Sequence, residues 1–265
     1  MSQSYESVSI PAPAGNIHGV IAVPDGVGPH PVVVVFQEAF GFTEQLRGVG
    51  RKLLEAGFAV VIPDLYSRDP KRQTLTDEEV AFGFPIFRQP DRSAVIDVLP
   101  EDQRLIALKV VDWLDNRDSS QYLPDALATV EWARDQSPLD RARIAVLGFC
   151  MGGGLVGQVA AAGAPIAAGV VFYGQIPSAE SVAGIRVPLL GNYAETDPSI
   201  TPKVPEFARL LSLAGVPFSW TVHPGTTHGF FNETRASYHH EASAKAWADT
   251  IEFLEKHISD RRKVG

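Results

Sequence analysis

The sequence predicts an α/β fold with a mostly parallel central sheet and helices on both faces. Three observations predict it. Short apolar runs rich in β-branched residues alternate with stretches of helical spacing along most of the chain. Runs such as Pro31–Phe36 (PVVVVF) are apolar without a break, the pattern of a strand buried on both faces. The length of 265 residues suits a single α/β domain over 1–265, large enough to bury a core without disulfide or metal support.

The elements follow in order. Ser7–Ile10 and Ile17–Val23 read as two short opening strands, with Pro11 to Gly15 as the turn. Pro31–Phe36 is the first buried strand. Thr43–Ala56 carries helical spacing and closes at Gly57, a C-terminal cap. Phe58–Ile62 is the next buried strand, and Pro63-Asp64 ends it. Residues 67–102 break the rhythm, being charged and holding several prolines. They read as an insertion or lid over the top edge of the domain, or as a long solvated loop with a short helix. Alternation then resumes. Gln103–Leu114 and Pro124–Gln136 are helices, Ile144–Leu147 a strand, and Gly152–Ala162 a helix of small residues. Ala168–Tyr173 and Val187–Asn192 are strands, Val204–Ala214 a helix, Phe218–His223 a strand and His240–His257 a final amphipathic helix. No internal repeat or linker divides them.

Composition narrows the function classes. Hydrophobic residues make up 45% and charged residues 20%, which excludes a disordered chain. The 23 Lys+Arg against 31 Asp+Glu give a net charge of −8, which argues against a nucleic-acid partner. One cysteine excludes an intramolecular disulfide. The first residues lack the charged and apolar regions of a signal peptide, and no apolar run approaches the roughly 20 residues needed to span a bilayer. The expectation is a cytoplasmic protein without a membrane partner, monomeric or homodimeric.

The strongest chemical signal is Gly148-Phe149-Cys150-Met151-Gly152. It follows a buried strand and opens a glycine-rich helix, the setting of a nucleophile elbow with cysteine in place of serine. Such a turn strains the nucleophile's backbone and leaves no room for side chains two positions away, so glycines flank it. The helix start offers free N–H groups and a positive dipole end, which favour a thiolate and an adjacent oxyanion. The bland reading is a buried, inert cysteine. Gly152, Gly154 and Gly157 also spell a dinucleotide-binding pattern. However, the following strand ends at Tyr173-Gly174-Gln175 without the acid such a site wants.

A nucleophilic thiol needs a base, and the base an orienting acid. In the α/β-hydrolase order these come later in the chain, acid before histidine. Asp197 sits past Val187–Asn192, and His228 past Phe218–His223. Loops at the carboxyl ends of parallel strands share one edge of the sheet, where the three would meet. Glu195 competes with Asp197 for the acid's place, and Asp197 could instead cap the next helix. Asp197 is preferred as the shorter acid farther into the loop. The remaining histidines match no common zinc spacing, so neither metal nor cofactor is expected.

Taken together, Gln37-Glu38-Ala39-Phe40-Gly41, Pro63-Asp64-Leu65-Tyr66, Gly148-Phe149-Cys150-Met151-Gly152-Gly153, Asp197 and His228-Gly229-Phe230 resemble the dienelactone hydrolase family, on an α/β-hydrolase fold. The resemblance runs from about Ser7 to His257, apart from 67–102. It implies a Cys150-His228-Asp197 triad that hydrolyses a small-molecule lactone or ester through an acyl-thioester, with oxyanion donors at the Met151 and Ala39 amides. It places Glu38 beside the nucleophile, where a carboxylate can influence deprotonation of the thiol. A helix-entry salt bridge or cap is the plainer role for Glu38. Candidate substrate contacts are Phe40, Tyr66, Tyr173, Asn232, Arg68 and Arg88, with Arg72 a further arginine in the insertion. One position departs from the family. Members that cleave dienelactone carry an arginine four residues past the histidine to hold the substrate carboxylate, and here that residue is Asn232. A neutral amide cannot supply the bidentate grip of a guanidinium. Arg235 lies three residues on and is a possible substitute. Two other readings stand beside the first: a broad carboxylesterase or thioesterase, and a non-catalytic binding protein on the same fold.

Overall fold

An eight-stranded sheet organises residues 5–259, the part of the chain that the computed structural model describes. In chain order the elements are β1 (Glu6–Ile10), β2 (Ile17–Ala22), β3 (His30–Phe36), α1 (Glu44–Glu55), β4 (Ala59–Asp64), α2 (Asp77–Phe87), α3 (Arg92–Asp97), α4 (Glu101–Asn116) and α5 (Tyr122–Arg134). Then come β5 (Leu139–Phe149), α6 (Met151–Ala161), β6 (Ala168–Phe172), α7 (Ala179–Val182), β7 (Leu189–Thr196), α8 (Val204–Leu213), β8 (Phe218–Thr227) and α9 (His240–Ile258). The order across the sheet is β1-β2-β4-β3-β5-β6-β7-β8. β2 pairs antiparallel with β1 and β4, and every other pairing is parallel.

The unbroken apolar run of β3 divides its side chains between two cores, because successive residues point to opposite faces. Val32, Val34 and Phe36 join one core with Val130 of α5, Val156 of α6 and Leu211 of α8. Val33 and Val35 join the other with Leu53 of α1 and Leu254 of α9. All of these are essentially inaccessible to solvent. Each buried side chain of this size contributes about 1.5–3 kcal/mol. No helix among the described residues is long and apolar enough to cross a membrane.

The sheet also fixes where chemistry can happen. β4 and β5 flank β3 on opposite sides, so the connections leaving β3 and β5 diverge. The crevice at such a switch point, beyond the carboxyl ends of the strands, is where open α/β sheets bind ligands. Glu38 follows β3 and Cys150 follows β5, which places both at that crevice.

Several elements differ from expectation. β5 starts at Leu139, five residues before the expected Ile144, because Asp140, Arg141 and Arg143 hide its apolar pattern. β7 and β8 run on to Thr196 and Thr227. Pro224 looks like a strand end, but β8 is an edge strand and its pairing with β7 is irregular between Ala194 and Thr196. Proline is tolerated at edges and bulges, where no ladder bond is lost. The short α7 had no periodicity to announce it. Within 67–102 the chain is largely helical. α2 opens on Thr76, whose side chain accepts from Glu79 N while the Glu79 carboxylate accepts from Thr76 N. This capping box is legible as Thr76-Asp77-Glu78-Glu79. α2 lies close on α4, and a methyl group at Gly83 would stand 2.5 Å from Val110 Cβ.

Candidate active site

The turn between β5 and α6 carries Cys150 with φ 53° and ψ −112°. A positive φ in a residue other than glycine is strained and persists only where its surroundings enforce it. Here the enforcement is visible. Cys150 N donates to Phe172 O at 3.0 Å, and Gly152 N donates to Gln37 O at 3.0 Å. A Cβ on Gly148 would sit 2.1 Å from Gly152 O, and one on Gly152 would sit 2.3 Å from Phe36 O. Both positions therefore require glycine, and the close approach locks the β3 loop against the start of α6. The Met151 and Ala39 amides donate to no acceptor among the described residues. The remaining glycines of the apparent dinucleotide pattern face chain instead of open space, Gly154 against Gln175 and Gly157 against Pro177.

His228 stands directly after β8, and Asp197 directly after β7. His228 Nδ1 and Asp197 Oδ2 are 2.6 Å apart. Ser199 Oγ donates to the other oxygen, Asp197 Oδ1, at 2.9 Å. Burial works against a charged imidazole, but the hydrogen bond to Asp197 and the interaction with the Cys150 thiol outweigh it, so the His228 pKa is pushed up to about 10. Burial also opposes the Asp197 charge, yet its bonds from His228 and Ser199 hold it below the usual carboxylate range. The competing acid, Glu195, points elsewhere and accepts from Gly225 N at 2.9 Å. Ser199 escaped the sequence reading. Its one signal was its place two residues after an acid, where a hydroxyl can bond back.

Glu38 is buried at 5% exposure and is held at both oxygens. Tyr173 donates its hydroxyl to Oε1 at 3.1 Å, and Asn232 donates Nδ2 to Oε2 at 2.6 Å. Burial raises the Glu38 pKa, and these two bonds, with Arg235 and His228 nearby, offset only part of the rise. Tyr173 is itself at a positive φ of 39° and packs its ring 5.1 Å from the His228 ring.

Cys150, His228 and Glu38 line a cavity of about 230 Å³ together with Phe40, Phe84, Arg88, Gly229, Asn232, Arg235 and Ser237. Of the candidate substrate contacts, Phe40, Arg88 and Asn232 lie here. Tyr173 is behind the wall, bonded to Glu38. Tyr66 and Arg68 line a different cavity. Arg68 is bound there by both oxygens of Asp125, at 2.9 and 2.7 Å. Arg72 is paired with Asp77 at 2.6 Å. Arg235 does reach the cavity, its guanidinium 3.5 Å above the Phe40 ring and its Nε buried without an acceptor. Phe84 was not foreseen. It comes from α2 and meets Phe40 edge-on at 4.7 Å.

A strained thiol at a helix start, a histidine held by a buried acid and two unengaged amides form a set able to carry acyl transfer. Comparison with known proteins shows the family. The model of the dienelactone hydrolase family matches residues 17–258. A protein of Saccharolobus solfataricus named "Putative carboxymethylenebutenolidase" is 28% identical over 251 residues, covering 91% of this chain and 94% of its own. A protein of the same name from Escherichia coli K12 is 28% identical, covering 94% of this chain and 86% of its own. A crystal structure from Klebsiella pneumoniae, titled "Putative Dienelactone Hydrolase", superposes with a TM-score of 0.73 at 25% identity, covering 97% of this chain and 100% of that one.

Proposed function

The chain belongs to the dienelactone hydrolase family of α/β-hydrolases, and from that premise we propose that it cleaves a lactone or activated carboxylic ester through Cys150, His228 and Asp197. The observation that carries this reading is the placement of His228, bonded to Asp197 on one side and interacting with the strained Cys150 on the other.

His228, with its raised pKa, holds the proton given up by the thiol, and the sulfur attacks the carbonyl carbon of the substrate. The Met151 and Ala39 amides receive the oxyanion. The C–O bond breaks, and His228 returns the proton to the departing oxygen. In a lactone that oxygen stays tethered to the acyl group. An acyl-thioester on Cys150 remains. His228 then takes a proton from water as the oxygen attacks the thioester carbon, the C–S bond breaks, and His228 returns that proton to the departing sulfur as the carboxylic acid is released. Asp197 keeps the ring oriented and stabilises the imidazolium.

Strained lactones and activated esters suit this nucleophile better than amides, because a thiolate leaves more readily than an amide nitrogen. The arginine expected four residues past the histidine is Asn232, which is committed to Glu38. Arg235 and Arg88 are the cations lining the cavity, and we assign any recognition of a substrate carboxylate to them. α2 then acts as the cover of the pocket, supplying Phe84 and, at its C-cap, Arg88. The neutral Asn232 also favours a second reading, a carboxylesterase of wider range.

Hydrolysis of a short-chain p-nitrophenyl ester and of dienelactone, wild type beside Cys150→Ala, tests both. Cys150-dependent turnover of both compounds supports the lactonase. Turnover of the neutral ester alone supports the wider esterase. Full activity in Cys150→Ala overturns the mechanism, and turnover of neither would leave a narrower substrate or a binding protein on this fold.

A further inference from the structure

A second cavity, of about 340 Å³, lies behind Tyr66 and shares no lining residue with the first. Its aromatic walls meet edge-on. Tyr66 is 5.2 Å from Trp113 and 5.7 Å from Tyr122, centroid to centroid. Its rim carries Arg68, Lys71, Arg117, Asp69, Asp118 and Asp125, equal numbers of each sign.

The charges are not equally engaged. Asp125 is held by both bonds from Arg68. Asp69 accepts from Trp113 Nε1 at 2.7 Å and from the Lys71 and Arg72 amides. Asp118 accepts from Ser120 N at 2.9 Å. Lys71 reaches outward to Asp112 at 2.7 Å. Arg117 alone among the three cations has no ion pair among the described residues, and its Nη1 is buried without an acceptor. A buried guanidinium nitrogen without a partner costs stability, and native structures rarely tolerate one without a reason. An anion in the cavity would give the guanidinium a partner charge. Aromatic walls with one convergent charge are the usual make-up of a small-ligand pocket, and the volume is at the lower end of the range for such sites.

We propose that this cavity binds a small carboxylate carried on a single aromatic ring. The carboxylate pairs with Arg117 and the ring lies among Tyr66, Trp113 and Tyr122. The site adjoins the first one through a single side chain. The Tyr66 hydroxyl reaches Ala39 O at 3.3 Å and Met151 Sδ at 3.4 Å, so the ring that walls the cavity also backs the two residues proposed as oxyanion donors. Binding itself does not depend on the proposed chemistry of Cys150.

Calorimetric titration of the full chain with benzoate tests this. Saturable one-to-one binding is expected with Kd on the order of 10⁻⁵–10⁻³ M. Benzamide, of the same shape without the charge, should bind about tenfold more weakly or worse. Arg117→Gln should abolish benzoate binding. Ala14→Trp, an exposed rim position that leaves every charge in place, should weaken it by obstruction. Arg235→Gln should leave it unchanged. Loss in Arg235→Gln with retention in Arg117→Gln would put benzoate in the first cavity and overturn the proposal. Absence of saturable binding up to about 10 mM would overturn it too.

Discussion

Asn232 donates its side-chain nitrogen to Glu38 Oε2 at 2.6 Å, and both residues are buried. Thr234 decides which end of the amide points there, because Asn232 Oδ1 already accepts from Thr234 N at 3.0 Å and Thr234 Oγ1 at 2.7 Å. Only the nitrogen is left for the carboxylate. Asn232→Ala should therefore lower stability by about 1–3 kcal/mol, read from urea unfolding. Asn232→Asp should cost more at neutral pH, since it sets a second carboxylate against Glu38, and the deficit should shrink as pH falls and one of the two is protonated. Wild-type stability in both variants would contradict the contact.

In the proposed mechanism Asp197 orients His228 instead of taking part in bond-making. Asp197→Asn should keep the fold and lower kcat for a p-nitrophenyl ester by on the order of 10³–10⁴, because an amide cannot stabilise the imidazolium and favours the wrong tautomer. His228→Ala should lose at least as much. Steady-state kinetics with a folded control decide it, and a fall of less than tenfold in Asp197→Asn would deny the acid its role.

The same ion pair makes stability depend on pH. An unfolded imidazole loses its proton near 6.5. The folded His228 keeps its proton up to about 10, because Asp197 and Cys150 outweigh the effect of burial. Between those values the folded state binds more protons, so stability falls as pH rises. The contribution is complete below about 6.5 and is lost by about 10. Thermal melts from pH 6 to 10 should show a steeper loss in wild type than in His228→Gln. Parallel curves would show that the pair adds nothing.

Gly148 is the tightest point of the elbow. A Cβ there would stand 2.1 Å from the Gly152 carbonyl oxygen, and backbone cannot yield as a side chain can. Gly148→Ala should cost about 3 kcal/mol or more, or prevent folding outright. Gly163 is a useful contrast, because a Cβ there would meet nothing within 4 Å. Its substitution by alanine should cost only the price of its left-handed backbone, φ 73°, about 1–2 kcal/mol. Chemical denaturation of the two variants gives the comparison.

Arg235 should matter for anionic substrates and little for neutral ones. Its guanidinium lies over Phe40 in the catalytic cavity with Nε unpartnered. Arg235→Gln should raise KM for a carboxylated lactone by about tenfold while leaving KM for a neutral ester within about twofold. Equal effects on both would make Arg235 a packing residue.

Much of this was legible in the sequence because it depends on local rules. The β3 run is apolar throughout because both faces of the strand are covered, and the glycines at 148 and 152 mark the elbow because no other residue fits. Asp197 and His228 were found by their places just past strands. What the sequence concealed was mostly long-range. Arg68 and Arg88 look alike in one charged stretch, yet Arg68 is claimed by Asp125, 57 residues away, and only Arg88 reaches the cavity. The commitment of Asn232 to Glu38 spans 194 residues and has no local signature. Phe84 enters the cavity because α2 folds back over Phe40. The start of β5 was hidden by charged residues that only the finished sheet accommodates.

The acyl-thioester on Cys150 is the central claim, and trapping it is the most direct test. The enzyme would be mixed with excess p-nitrophenyl acetate, quenched in acid within its first turnover and digested for mass spectrometry. The expected result is one acetyl group on the peptide that contains Cys150, a matching burst of p-nitrophenolate, and neither in Cys150→Ala. An unmodified Cys150 peptide with turnover undiminished in Cys150→Ala would contradict it.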